Sequence, residues 1–122
     1  MKILMSINPK YAKKIVDGTK KYEYRTRFAR QKISSIIIYV TAPMKKIIAE
    51  VEVLEILKLQ PEDLWDKTKE FSGISKEFYN EYFKGRRVAY AYKLGKVKIY
   101  EQQKSLTDFG IEYPPQSFIY IR

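Results

Sequence analysis

A short segment near the N-terminus alternates charged and aromatic side chains. Residues 18–27 begin with a glycine and continue with this alternation. If the segment is a strand, one face carries Lys21, Glu23, Arg25 and Arg27, and the other carries Tyr22, Tyr24 and Phe28. Buried charges must pair with one another or contact a ligand. One acid among several bases therefore predicts either a solvated face with one ordinary ion pair or a site for an anionic ligand.

Three residue types in this segment have chemistry that suits a binding site. Lys20 supplies a compact ammonium, whose pKa falls if it is buried beside Arg25, and which then acts as a base or binds phosphate. Arg25 supplies a planar fork that binds a carboxylate, a phosphate or a base edge bidentately. Glu23 either orients Arg25 or accepts a hydrogen bond from a nucleobase amino group. The alternative is that Glu23 and Arg25 pair only to neutralise the strand face.

Several polar and aromatic residues are further candidates for the same binding site. Ser6 and Thr41 stand at the ends of predicted strands, where a hydroxyl either faces a cleft or completes a turn. Gln116 and Ser117 follow two prolines, and they either close one side of a pocket or simply begin a strand. Eleven tyrosines beside many basic residues make stacking on single-stranded bases feasible.

The aromatic residues divide by their spacing. Phe78, Tyr79, Tyr82 and Phe83 recur at helical spacing and are predicted to be core residues, as are Tyr22 and Tyr24. Tyr39 and Tyr92 are predicted to be candidates for a cleft wall.

The composition bounds the class of protein. A chain of 122 residues that is 45% hydrophobic and 15% aromatic suits one domain, which we assign to residues 1–122. Without cysteine or histidine, disulfides, thiolate metal sites, the usual zinc sites and histidine triads are excluded, and we expect no metal and no cofactor. We also expect a cytoplasmic protein with no membrane span and no signal peptide.

The charge is large and unevenly distributed. The formal net charge is +10. Residues 1–32 hold ten lysines and arginines against two acids, whereas residues 50–70 hold seven acids against three lysines. A distinct basic segment suits a polyanion, most often nucleic acid. General solubility is an alternative reason for such charge, and docking of the acidic segment on a protein partner is another.

The pattern of turn residues and apolar periodicity predicts a mainly β fold with short helices (α+β). Predicted strands are Lys2–Ile7, the segment from about residue 21, Ile33–Val40, Ile47–Leu59, Val88–Leu94, Val97–Glu101 and Phe118–Ile121. Predicted helices run from Pro9 to about Asp17, with Asn8 as N-cap and Gly18 just past the end, from Pro61 to a break at Gly73, from Lys76 to Lys84, and for one turn at residues 105–110.

Two details of these strands favour a curved sheet. The alternation in Ile47–Leu59 changes phase near Leu54, which predicts a β-bulge, with a helix as the second choice for the segment. Gly95-Lys96 is interpreted as a tight turn between two strands. A small, partly closed barrel with helices at its ends is the architecture that follows.

The ordered set of these segments resembles the ASCH domain (activating signal cointegrator homology) of the PUA-like superfamily. The pattern Gly-x-Lys-x-x-Glu-x-Arg is matched by Gly18, Lys20, Glu23 and Arg25. Further segments that resemble the family are residues 4–12, 39–43, 82–86 and 114–118.

The resemblance implies a fold, a partner and a site. The fold is a PUA-like partly closed β-barrel with a basic cleft lined by the charged residues of the motif. The partner is nucleic acid, with RNA favoured over DNA, or a modified nucleotide. The residues expected to bind it are the motif residues Lys20, Glu23 and Arg25, together with the candidates chosen from the sequence pattern: Arg27, Ser6, Tyr39, Thr41, Gln116 and Ser117.

The resemblance also implies an alternative, a small hydrolase that uses the same cleft. Some small family members are amidohydrolases that deacylate modified cytidine nucleosides through a lysine, a threonine on the same strand and a distant glutamate. Lys20 matches that lysine, and Glu23 occupies the position of that threonine. For such an enzyme, or for a ribonuclease, Lys20 or Glu23 is the candidate base and Thr41 the candidate nucleophile.

Overall fold

The computed structural model describes residues 1–121, which form a mainly β fold with short helices, as predicted. The strands are β1 (Lys2–Ile7), β2 (Tyr22–Arg25), β3 (Ser35–Val40), β4 (Lys46–Leu59), β5 (Ala89–Lys104) and β6 (Phe118–Ile121). The helices are α1 (Pro9–Val16), α2 (Pro61–Thr68) and α3 (Lys76–Tyr82), with 3-10 turns at Lys69–Phe71 and Leu106–Phe109. None of the helices within residues 1–121 combines the length and the apolar character needed to cross a membrane.

The six strands form one curled sheet in the order β2-β5-β4-β3-β1-β6. Strands β1 and β3 are parallel, and the other neighbours are antiparallel. The two edge strands, β2 and β6, approach each other at a seam that Arg25 bridges. Its Nη2 donates to the carbonyl oxygen of Ser6 in β1 at 2.9 Å, and its Nη1 donates to Ser117 Oγ, just before β6, at 3.4 Å. The predicted partly closed barrel is therefore confirmed.

The long strand β4 contains the predicted bulge. Val53 pairs with Leu94 and Glu55 pairs with Lys93, so Leu54 is one extra residue on β4. A bulge bends the strand and increases its twist, which helps the sheet to curl. The strand assignment is confirmed over the helical alternative, as the β-branched composition favoured.

The predicted hairpin at Gly95-Lys96 is wrong, because β5 continues through both residues. Leu94 pairs with Val53 and Val97 pairs with Val51, so both halves of β5 follow the same partner strand. The glycine is needed for a close approach instead, since the Glu52 carboxylate occupies the space where a Cβ would lie. Glu52 Oε1 also accepts a hydrogen bond from the Lys96 backbone N–H at 3.3 Å. A strand glycine that marks a bulge has the same sequence signal as a turn glycine.

Apolar residues fill the barrel and both of its flanks. Strand β3 is buried at all six positions, and its isoleucine-rich sequence suits burial on both faces. The barrel interior joins alternate residues of β1, β3 and β4 to Ala12 and Ile15 of α1. On the opposite face, α2 and α3 pack on β2 and β5 through the cluster Tyr24, Leu64, Tyr79, Phe83, Ala89 and Ala91.

Helix α1 places the segment that begins at Gly18. As predicted, Asn8 caps the helix by accepting a hydrogen bond from the Lys10 N–H at 2.9 Å, and Pro9 is its first residue. Gly18 ends it with a left-handed backbone (φ 86°), which costs glycine little. The chain then turns at once into β2, and the Lys20 N–H donates to the Lys14 carbonyl at 3.0 Å.

A buried hydrogen bond fixes α2 to β2. Thr68 Oγ1 donates to the Leu64 carbonyl at 2.7 Å and lies 2.6 Å from Tyr24 Oη. Because the threonine proton is committed to the carbonyl, the tyrosine hydroxyl is the donor to Thr68. Burial raises the pKa of Tyr24 to about 12, so this donor stays protonated well into the alkaline range.

We predict that Thr68→Val lowers the free energy of unfolding by about 1–3 kcal/mol, because it leaves the buried Tyr24 hydroxyl without an acceptor. Tyr24→Phe removes the hydroxyl itself and should cost about 1 kcal/mol. The double variant should lose less than the sum of the two single losses. Urea denaturation of the four proteins measures these values. Strictly additive losses would contradict the assigned hydrogen bond.

Candidate functional site

A small pocket lies at the seam, between the end of β1, α1, β2 and α3. Its volume is about 230 Å³. The residues that line it are Ser6, Asn8, Tyr11, Lys20, Glu23, Tyr24, Arg25, Ile74, Phe78 and Tyr82. The structure thus brings Lys20, Glu23 and Arg25 together, and Ser6 with them.

The side chain of Lys20 is almost completely buried in the pocket wall. The residue is only 3% exposed. Its Nζ donates to the Ser72 carbonyl at 2.6 Å and lies 3.9 Å from Glu23 Oε1. The ammonium also lies 5.0 Å and 5.5 Å from the ring centroids of Tyr24 and Tyr11, within the range of cation–π contacts.

The environment of Lys20 changes its protonation. Loss of hydration on burial lowers the pKa of Lys20 from 10.5 to about 8. The Glu23 carboxylate opposes this effect, and the positive charges of Lys14 and Arg25 add to it. Both the charged and the neutral form of this lysine are therefore accessible near neutral pH.

A glycine loop holds Lys20 in place. The carbonyls of Ser72 and Gly73 accept hydrogen bonds from Lys20 and Lys14, at 2.6 and 3.0 Å respectively. Gly73 has a left-handed backbone (φ 69°), and a Cβ there would lie 2.6 Å from Lys20 Cβ and Cγ. The sequence marked Gly73 only as a helix breaker. Its contact with a residue more than fifty positions earlier has no local sequence signal.

Glu23 and Arg25 form a partly buried ion pair. Glu23 is 7% exposed, and its Oε2 accepts from Arg25 Nη2 at 2.8 Å and from Nε at 3.2 Å. Glu23 therefore orients Arg25, while its other oxygen faces Lys20. The pocket wall holds two cations and one carboxylate, so it has an excess of positive charge.

Aromatic rings surround the charged group. Tyr11 and Phe78 meet edge to face with centroids 5.7 Å apart, and Phe78 lies 6.3 Å from Tyr82. The prediction that all four α3 aromatics are core residues is wrong for Phe78 and Tyr82, which are 41% and 38% exposed and line the pocket. Of the four aromatic residues, only Tyr79 and Phe83 face inward, where they pack with Tyr24.

The structure places two of the predicted site residues away from the pocket. Tyr39 is buried on the other face of β3 against Leu4, Ile37 and Ile47, so its prediction as a cleft wall is wrong. Thr41 follows β3 and donates its backbone N–H to the Ile7 carbonyl at 3.0 Å, and it does not line the pocket. Tyr39 belongs to β3, an inner strand of the sheet, and Thr41 follows directly after that strand.

Tyr92, the second predicted cleft-wall tyrosine, is also a core residue. It is fully buried, and its hydroxyl accepts a hydrogen bond from the Ala29 N–H at 2.9 Å. Burial raises the pKa of Tyr92 to about 12, so the hydroxyl stays neutral.

The remaining predicted residues line a neighbouring groove of about 1180 Å³. Arg27, Gln116 and Ser117 belong to it, and Arg25 and Tyr82 line both the groove and the pocket. The other groove residues are Thr26, Phe28, Arg30, Tyr90, Pro115, Phe118 and Ile119. Ser6 fixes the groove wall to the pocket, because its hydroxyl donates to the Pro115 carbonyl at 2.7 Å.

Acidic side chains do not gather into a metal site in the described part of the chain. Among residues 1–121, no three or more aspartates and glutamates are grouped so that they could hold a metal ion. The charged groups that line the pocket are one lysine, one carboxylate and one guanidinium.

The sequence matches the profile of the ASCH domain over residues 5–105. A Zymomonas mobilis protein named ASCH domain-containing ribonuclease is 33% identical over 92 residues, which are 75% of this chain and 62% of that protein. The crystal structure of ASCH from Zymomonas mobilis superposes with a TM-score of 0.90 at 28% identity, covering 99% of this chain and 87% of that one.

Two longer proteins of Ureaplasma parvum also match 98% of this chain. One is named ATP synthase subunit alpha (28% identical over 121 residues) and the other large ribosomal subunit protein uL22 (29% identical over 122 residues). The chain spans only 15% and 39% of their lengths, respectively. The match is to a portion of each protein.

We predict that Gly73→Ala destabilises the protein more than Gly85→Ala does. Both glycines have left-handed backbones, but a Cβ at Gly85 would meet nothing within 4 Å, whereas one at Gly73 would collide with the stem of Lys20. The control should lose about 1 kcal/mol from backbone strain alone, and Gly73→Ala about 1–3 kcal/mol more from overpacking. Urea denaturation measures both. Equal losses in the free energy of unfolding would show that Gly73 does not pack against the stem of Lys20.

Proposed function

The chain belongs to the ASCH domain family, and we propose that it binds single-stranded RNA with one base, plain or modified, in the pocket at the seam. The observation that supports this most directly is the buried ammonium of Lys20. Within residues 1–121 only one of its three donors has a protein hydrogen-bond acceptor, the Ser72 carbonyl. A ligand with acceptor oxygens would satisfy the others.

Charge favours an anionic or carbonyl-bearing ligand. Two cations, Lys20 and Arg25, share one carboxylate in a wall that water reaches poorly. An unbalanced buried charge is costly unless a ligand compensates for it. A phosphate group or the carbonyl edge of a base would do so, and Glu23 Oε1 would accept from an exocyclic amino group beside it.

The shape of the pocket favours one unpaired base. A volume of about 230 Å³ suits a small planar group. Tyr11, Phe78 and Tyr82 offer ring faces and edges around the charged group. Sequence-specific recognition of RNA is usually directed at unpaired bases, which stack on aromatic rings while their edges are hydrogen-bonded. The adjoining groove, with Arg27 and Arg30, suits the phosphates on one side of that base.

We predict that a single-stranded RNA dodecamer binds with an affinity that falls with salt, with a log–log slope of about −0.7 per phosphate contact. Affinity should also fall as pH rises through about 8, because Lys20 then loses its charge. Lys20→Met should bind more weakly and lose this pH dependence. Fluorescence anisotropy of labelled homopolymers measures both effects.

Lys21→Met is the matched control for Lys20→Met. Lys21 is the next residue, but it is exposed, and its ammonium lies over the Phe71 ring at 4.5 Å, outside the pocket. The control should retain the pH dependence of the wild type. Equal binding by wild type and Lys20→Met at every pH would contradict the proposal.

A second candidate function is RNA cleavage, which two observations favour. A lysine with a pKa of about 8 is suited to general-base catalysis near neutral pH, and a Zymomonas mobilis relative is named a ribonuclease. In this reaction neutral Lys20 would take the proton of an RNA 2′-hydroxyl, whose oxygen attacks the adjacent phosphorus. The bond to the 5′ oxygen then breaks, that oxygen takes a proton from water, and a 2′,3′-cyclic phosphate forms.

Cleavage of this kind needs no nucleophile from the protein. This matters because Thr41, the candidate nucleophile for an amidohydrolase, lies outside the pocket. Arg25 would stabilise the charge that develops on the phosphate oxygens. An amidohydrolase acting on acylated cytidine would need water or another group in place of Thr41.

We predict that, if the chain cleaves RNA, the rate rises with pH through about 8, opposite to the trend in affinity, because the base must be neutral. Lys20→Met should slow cleavage by about 10²–10⁴-fold, and Lys21→Met should not. Chromatography of a short RNA and of its 2′-deoxy analogue measures the products. Equal cleavage of both substrates would contradict this mechanism.

A further inference from the structure

A second pair of aromatic rings lies outside the pocket, at the far side of the groove. Phe28 and Tyr90 stack with centroids 4.8 Å apart and ring planes 25° from parallel. Phe28 lies in the segment that connects β2 to β3, and its large apolar side chain is 38% exposed. The pocket residues do not include either ring.

The neighbouring concavities on this side of the molecule share lining residues. The groove shares Arg25 and Tyr82 with the pocket. At its other end it shares Phe28, Arg30 and Tyr90 with a further cavity of about 500 Å³. One track therefore runs from the pocket, through the groove, to the Phe28–Tyr90 pair.

The connection that carries Phe28 is fixed rather than loosely attached. The Ala29 N–H donates to Tyr92 Oη at 2.9 Å, and the Gln31 N–H donates to Tyr120 Oη at 3.2 Å. Ala29 and Ile33 are buried, whereas Phe28, Arg30 and Lys32 are exposed. The backbone thus presents one aromatic and two basic side chains outward in a set arrangement, which lowers the entropy cost of binding.

Positive charges flank the ring pair on both sides. Tyr90 of β5 pairs with Arg25 of β2 on one side and with Lys58 of β4 on the other. The three side chains therefore share one face of the sheet. Between the pocket and the end of the track, the basic residues are Arg25, Arg27, Arg30, Lys32 and Lys58, and the one acid among the lining residues is Glu55. A ring platform among cations suits a strand that has both bases and phosphates.

We propose that the Phe28–Tyr90 pair is a second base-stacking subsite, so that the chain binds a single-stranded RNA segment of several nucleotides along this track. The proposal rests on the proposed function, which supplies the first base in the pocket. The second base would stack on Phe28, and the phosphates between the two bases would contact Arg27 and Arg30. Stacking on a ring tolerates any base, so this subsite would add affinity and length preference rather than sequence preference.

The test measures the affinity of wild type and Phe28→Leu for RNAs of one to six nucleotides at fixed salt. For wild type, affinity should rise steeply over the first few nucleotides. Phe28→Leu should bind the hexamer about ten-fold more weakly, the loss expected for one stacked base, and bind a nucleoside monophosphate unchanged. Phe28→Tyr, which keeps a ring, should bind the hexamer like wild type.

Three controls separate base stacking from charge and from non-specific binding. Tyr113→Leu removes an aromatic that is 75% exposed and lies outside the track, and it should leave hexamer binding unchanged. A hexamer that keeps one base and has abasic riboses elsewhere should bind wild type and Phe28→Leu equally. An acidic peptide, poly-glutamate, should compete poorly with the hexamer.

The outcomes distinguish the two proposals. Equal affinities of wild type and Phe28→Leu for the hexamer would overturn the second subsite, while leaving the pocket in place. Failure of wild type to bind any of the RNAs would overturn the proposed function and the subsite with it. Competition by poly-glutamate as strong as by RNA would overturn the subsite, because it would show that charge alone determines binding to the track.

Discussion

The pocket depends on one constraint, a lysine ammonium that is held out of water beside one carboxylate and one guanidinium. Lys20 cannot leave this position easily, because Gly73 packs on its stem and the Ser72 carbonyl accepts from its Nζ. Glu23 cannot neutralise both Lys20 and Arg25, because its carboxylate carries one negative charge and contacts both cations. Loss of hydration on burial is the main cause of the lowered pKa of Lys20. The excess of positive charge in the pocket wall is the reason for the affinity for an electron-rich ligand that we propose.

The curled sheet gives this arrangement its location. The strand edges at β2 and β6 do not pair with each other, and the gap between them is spanned by the side chain of Arg25. The same residue therefore helps to close the barrel, orients Glu23 and lines both the pocket and the groove. One guanidinium can fill both the structural and the proposed binding role, because its planar fork makes several directed hydrogen bonds at once.

Local sequence signals predicted the elements that local chemistry determines. Asn8 and Pro9 started a helix, Gly18 ended it, and the phase change near Leu54 marked a bulge. The family resemblance selected Lys20, Glu23 and Arg25, and these three do meet. Contacts between distant parts of the chain were not predictable: nothing near Gly73 indicates that it covers Lys20.

The errors have the same origin, since each depends on contacts between parts of the chain that are distant in sequence. Gly95 has the sequence signal of a turn residue, but in the structure the Glu52 carboxylate occupies the space where its Cβ would lie. Phe78 and Tyr82 share helical spacing with two core aromatics, but they lie on the side of α3 that borders the pocket. The side chain of Tyr39 lies on the outer face of β3, away from the barrel interior and from the pocket.

The measurement that tests this account most directly is the pKa of Lys20 in the free protein. It can be followed by NMR of ¹³Cε-labelled lysine, with the resonance assigned by its loss in Lys20→Arg. We predict a midpoint near pH 8 for Lys20, well below the ordinary lysine value of 10.5. A midpoint near 10.5 would show that its ammonium is hydrated and would contradict the central claim.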